Sequence, residues 1–66
     1  MIKTNSAGTT FRAIPMKDHA PFGEHWVQVT RPNGTTEGIG QFENPFNGQD
    51  GAVAWISQHM EDPQYL

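Results

Sequence analysis

The tripeptide Pro32-Asn33-Gly34, set between two β-prone runs, constrains this chain more than any other feature. Residues 25–31 (His-Trp-Val-Gln-Val-Thr-Arg) and 35–43 flank it with β-branched and aromatic side chains, which specifies a β-hairpin. Pro32 presets φ for the first turn position and Asn33 tolerates the second. Gly34 supplies the left-handed residue of a type I turn closed by a G1 bulge. The turn in turn dictates a register: Arg31 opposite Thr35, Val29 opposite Glu37, Val27 opposite Ile39 and His25 opposite Gln41. On the other side of the ribbon Trp26 is expected to face Gly40. An indole across from a glycine covers bare backbone, a structural reason for Gly38 and Gly40.

Around this hairpin the chain organises readily. Residues 9–16 hold Thr9, Thr10, Phe11 and Ile14 in another β-prone run, which Pro15 confines to an edge or ends early. Residues 17–23 contain Asp18, Pro21 and Gly23 and read as a loop. Residues 1–8 carry Ile2 and then Ser6-Ala7-Gly8, and read as a loose lead-in. Asn44-Pro45-Phe46-Asn47-Gly48 breaks the second hairpin strand, and Asn47 with Asp50 resembles an N-cap with its reciprocal acid. A helix over about 48–61 follows, because Ala52, Val53, Trp55, Ile56, His59 and Met60 share one arc opposite Asp50, Ala54, Ser57, Gln58 and Glu61. It stops at or before Asp62, since Pro63 disfavours helical geometry in its predecessor. The expected fold class is α+β: a three-stranded antiparallel β-sheet (9–16, 25–31, 35–43) with one C-terminal α-helix packed on one face. Val53, Ile56 and Met60 should meet either Val27 and Ile39 or the Trp26 face.

Only twelve of 66 residues are Ile, Leu, Val or Phe, just under the fifth or so that marks an easily folded globule. The core must therefore lean on aromatics, in one small domain spanning 1–66 near the lower size limit for a core without staples. A net charge of -3 is too small for self-repulsion to make disorder the default. The absence of cysteine excludes a disulfide framework and thiolate zinc sites. No apolar run resembles a secretory leader or a bilayer span, so a cytoplasmic protein with no membrane partner is expected. A pI near 5.4 argues against direct nucleic-acid binding, which needs surplus Lys and Arg.

The residue types that carry chemistry do not assemble into a motif. His19, His25 and His59 lack metal-site spacing, so no metal and no cofactor are expected. Ser6 and Ser57 lie in no nucleophile turn, and Glu61 and Asp62, adjacent at a helix end, diverge rather than share a substrate. No catalytic residue is assigned, and the chain is read as a non-enzyme. Asn44-Pro45-Phe46 matches a tripeptide bound by EH domains, but its Phe is expected to be buried. Asn33-Gly34-Thr35 is a glycosylation sequon without a signal peptide to deliver it.

Charge distribution is more informative. All four Lys and Arg side chains lie at or before Arg31, whereas Glu37, Glu43, Asp50, Glu61 and Asp62 follow it with no basic residue among them. These five acids are the candidate partner-binding residues, forming a negative surface for a basic partner; the alternative is an ordinary solubilising surface. In size, acidity, lack of cysteine and lack of a catalytic constellation, the chain resembles the small inhibitors that bacteriophages encode against host defences, anti-CRISPR proteins in particular. The resemblance is one of general character and assigns no residue a role. It implies stoichiometric, monomeric binding to a host protein or complex, with the acidic surface imitating DNA on a basic channel. The alternative from another class is a structural or assembly component of a phage or bacterial complex, oligomeric through exposed aromatics.

Overall fold

The computed structural model describes residues 2–16 and 23–66. The expected loop at 17–23, with His19 and Phe22, lies outside them except for Gly23. Within the described residues the fold is α+β: an antiparallel sheet with one C-terminal helix packed on it. The strands are β1 (Ile2–Thr4), β2 (Thr10–Pro15), β3 (Glu24–Thr30), β4 (Thr36–Ile39) and the two-residue β5 (Phe46–Asn47). Helix α1 (Gly48–His59) follows, then a 3-10 turn, Pro63–Tyr65. The order is β1-β2-β3-β4, and β5 shares the β4 side of β3, pairing with Glu24 and His25.

The hairpin register holds through its closed end. Val29 pairs with Glu37 and Val27 with Ile39. The Gly34 amide donates to the Arg31 carbonyl at 2.9 Å and the Arg31 amide to the Thr35 carbonyl at 2.8 Å. Gly34 has φ +89, as the bulge requires. Beyond Ile39 the expectation fails: Gly40 turns left-handed at φ +74, β4 ends, and His25 pairs with Phe46 rather than Gln41. A Cβ on Gly40 would lie 3.3 Å from the Phe46 ring and 3.2 Å from the Asn44 carbonyl. The glycine therefore admits the returning chain. Trp26 stands opposite Ile14 of β2, not Gly40, and Gln41 rather than the indole folds over Gly38.

Of the expected loose lead-in at 1–8, the described residues 2–8 are ordered into the fold. Ile2, Lys3 and Thr4 pair with Arg12, Phe11 and Thr10, so β2 is an interior strand rather than an edge, and Pro15 is its last residue. The physical reason is Asn5, only 6% exposed. Its Nδ2 donates to the carbonyls of Met60 (2.8 Å) and Tyr65 (2.9 Å). Its Oδ1 accepts from the amides of Ala7 and Thr9, each at 2.9 Å. One side chain thus closes the β1–β2 turn and ties it to the end of the chain.

Alternation in β2 and β3 decides the layers. Phe11, Ala13, Val27 and Val29 point to the helix side and are buried, joining Ala52, Ile56 and Tyr65 in the core. Helix α1 therefore lies over the Val27 and Ile39 face, with Ile39, Phe46, Val53, Trp55 and Met60 partly buried around it. Arg12, Ile14, Trp26 and Gln28 alternate to the other face, which no element of the described residues covers. The helix phase is as expected, and it ends before Pro63 with Met60 as C-cap. The cap at its start is different: Asn47 makes no side-chain cap hydrogen bond, because its backbone is already the end of β5, paired with Glu24.

Candidate functional site

The acids form two sets. Glu37, Glu61 and Asp62 are engaged within the fold. Glu37 pairs with Arg31 at 2.7 Å. The two residues are diagonal neighbours on one face of the hairpin, so the register already contained this pair. Although no basic residue follows Arg31 in the sequence, Arg31 itself thus neutralises one of the five acids. Glu61 accepts from the Ser6 hydroxyl at 2.7 Å and from the Ser6 amide at 3.3 Å. Asp62 Oδ2 lies 2.9 Å from Nδ1 of His59. Glu43 and Asp50 form the second set: both are exposed, and neither has a hydrogen-bond or ion-pair partner among the described residues.

Position along the helix separates the sets further. Asp50 lies in the first turn of α1, and Glu61 just past its end, about 16 Å along the axis at 1.5 Å per residue. Glu43 belongs to the Asp50 end. Phe46 approaches Gly40, at the start of the 40–44 loop, and Gly51, in the first turn of α1. The loop and the helix start therefore meet around Phe46. The loop turns on Gly40 and on Asn44 at φ 52, and carries Phe42, 91% exposed. An aromatic ring that protrudes beside a carboxylate with no partner among the described residues is the most partner-like feature of this end. Sequence reasoning missed Phe42 because it extended the second hairpin strand to residue 43. Gly40 and Asn44, two residues suited to left-handed backbone, were the available signal. Phe46 of the Asn44-Pro45-Phe46 tripeptide is partly buried against the core, as expected.

The opposite end is built around Tyr65. Its ring meets Phe11 edge-on at 5.1 Å and Trp55 at 6.3 Å, and Trp55 continues to Phe46 at 5.9 Å and His59 at 4.9 Å. This aromatic seam supplies the bulk that scarce aliphatic residues leave wanting. The Arg31 guanidinium stands 5.6 Å from the Tyr65 ring centre. Ala7, Thr9, Arg31, Pro32, Asn33 and Tyr65 line a cavity of about 280 Å³ there. A second cavity, about 290 Å³, lies on the sheet face opposite the helix among Trp26, Gln28, Thr36, Gly38 and Gln41.

Burial raises the Tyr65 hydroxyl above its ordinary pKa of 10.0, reinforced by Glu37, opposed by Arg31 and reinforced again by Asp62. The fold thus favours the neutral phenol. That preference is fully available below pH 10.0 and is lost as pH rises through the folded value, because the unfolded chain releases its proton first. Stability is expected to decline above about pH 10, and Tyr65→Phe to make that decline shallower in denaturant melts. Parallel declines for the two proteins would assign the alkaline loss to another group.

Among the described residues no group of three His, Asp or Glu could hold a metal ion, and no helix is long and apolar enough to cross a membrane. No known family model, curated protein or solved structure matches the chain.

Proposed function

We propose that the chain is a small protein-binding inhibitor that docks on a basic host surface with the end carrying Phe42, Glu43 and Asp50. The observation that carries this reading is the exposure of Phe42, 91%, beside a carboxylate with no partner among the described residues. A ring of this size in water is favourable to bury in a partner's cleft, and the adjacent charge steers association toward basic surfaces. Glu37, Glu61 and Asp62, already spent on Arg31, Ser6 and His59, contribute to the field rather than to contact. The partner class is a nucleic-acid-binding protein of a host defence system, whose basic channel offers the opposite charge. Binding is stoichiometric, and the chain acts as a monomer in the cytoplasm.

The test is a pull-down from host lysate with three proteins: wild type, Phe42→Ala, and the double reversal Glu43→Lys with Asp50→Lys. All three substituted side chains are exposed, so the fold should survive. Wild type is expected to retain a basic partner at low salt and to lose it as the Debye length shrinks to about 8 Å and below. Both variants should lose it at every salt concentration. Equal recovery by all three proteins would remove this end from the interface.

One observation favours a second reading, an assembly component. The sheet face opposite the helix carries the partly exposed Trp26 and Ile14, with Ile2 54% exposed, and an apolar strip that no described element covers suits a partner in an oligomer. Solution mass separates the readings: a monomer agrees with the inhibitor, a stable oligomer with assembly.

A further inference from the structure

The chain contains two Asn-Gly steps, Asn33-Gly34 and Asn47-Gly48, and the structure treats them in opposite ways. Asparagine before glycine is the dipeptide most open to succinimide chemistry, because no Cβ shields the following amide nitrogen. We infer that Asn33 is a self-modification site, converting to aspartate and isoaspartate in the folded protein, while Asn47 is protected.

Three features single out Asn33. It is exposed at the hairpin tip, and a Cβ built on Gly34 would find no atom within 4 Å, so the attacking nitrogen is unhindered. The Thr35 amide donates to Asn33 Oδ1 at 2.9 Å. That donor is aimed at the oxygen on which negative charge develops when the carboxamide carbon is attacked, and it holds the side chain folded toward its own backbone. Opposing attack is one local bond, from the Gly34 amide to the Arg31 carbonyl at 2.9 Å, which opens without disturbing the core.

Asn47 is exposed as well, but its hydrogen bonding and backbone setting differ. Among the described residues its side chain makes no cap hydrogen bond, so its carboxamide lacks the polarising donor that Thr35 gives Asn33. Its backbone closes β5 against Glu24 and leads directly into α1. Rotating it into ring-closing geometry would displace the helix from the sheet.

The chemistry balances with water alone. The Gly34 nitrogen, after losing its proton to solvent base, bonds to the Asn33 side-chain carbon. The bond from that carbon to Nδ2 breaks and ammonia leaves. Water then opens the cyclic imide at either carbonyl, giving aspartate or isoaspartate. Either product places a carboxylate beside Arg31 at the mouth of the cavity that Asn33 lines with Tyr65. Isoaspartate also lengthens the turn by one backbone carbon, which the bulge register between Arg31 and Thr35 does not accommodate.

The test is incubation of the whole protein at mildly alkaline pH, with peptide mapping and isoaspartate detection over time. Conversion at Asn33 is expected to exceed that at Asn47 by about tenfold or more, the factor that a 1.4 kcal/mol difference in barrier supplies. In denaturant the two rates should converge, since both sites then share the same Asn-Gly chemistry. Asn33→Gln should abolish conversion at that position and leave the Asn47 rate unchanged. Equal or faster conversion at Asn47 in the folded protein overturns the inference. So does a native Asn33 that stays intact while the denatured chain reacts.

Discussion

Replacing Asn5 with alanine is expected to remove a large share of the stability of the fold. The Asn5 side chain joins four backbone groups: the carbonyls of Met60 and Tyr65 and the amides of Ala7 and Thr9. Each hydrogen bond contributes about 1 kcal/mol net, and a buried group left unpaired costs roughly 1 to 3 kcal/mol. Around Asn5 and Thr9, both buried, water cannot easily replace the lost partner. The summed loss, on the order of 4 kcal/mol or more, compares with a total stability of about 3 to 10 kcal/mol for a chain of this length. Asn5→Asp separates the two halves of the network. It keeps an acceptor for Ala7 and Thr9 but sets a carboxylate against the Met60 and Tyr65 carbonyls, so it should also be severe. The measurement is thermal melting with amide hydrogen exchange at Ala7 and Thr9. A melting temperature within a few degrees of wild type for Asn5→Ala would mean that β1 is held by strand pairing alone.

The second large effect is expected at Ile56, whose side chain is 0% exposed. Truncation to alanine removes buried surface and leaves a cavity against the sheet, at a cost of about 2 to 5 kcal/mol. Ser57 is exposed on the opposite side of α1, where its hydroxyl meets the Lys3 ammonium at 3.2 Å, so Ser57→Ala should change stability by about 0.5 kcal/mol or less. Denaturant unfolding of the pair checks the phase of the helix. A silent Ile56→Ala beside a damaging Ser57→Ala would require α1 to be rotated on the sheet. Trp55 is partly exposed and packed among Phe46, His59 and Tyr65.

The candidate site was less legible than the core. The five acids were visible as a run without basic residues, but linear order says nothing about which of them a fold will neutralise. Glu37 meets Arg31 because a hairpin register sets them diagonally, and Glu61 meets Ser6 because the first turn returns to the end of α1. Phe42 gains its exposure from a chain reversal between Gly40 and Asn44.

Local rules were sufficient wherever the determining contact lies within a few residues. Pro32-Asn33-Gly34 set the turn and the first pairs of the hairpin, since the backbone twist of a bulged type I turn admits one register. Apolar spacing set the buried arc of α1, and Pro63 limited its length, because helical periodicity and proline sterics act over a single turn. Tertiary structure decided the remainder. Two hydrogen bonds from Asn5 to carbonyls more than fifty residues away turned an unremarkable N-terminal segment into an edge strand. Phe46 displaced Gln41 from His25 because its ring completes the aromatic seam along α1. The helix chose the Val27 face over the Trp26 face because Phe11 and Ala13 of β2 extend that face into a continuous apolar surface, a sum over strands that no single strand encodes.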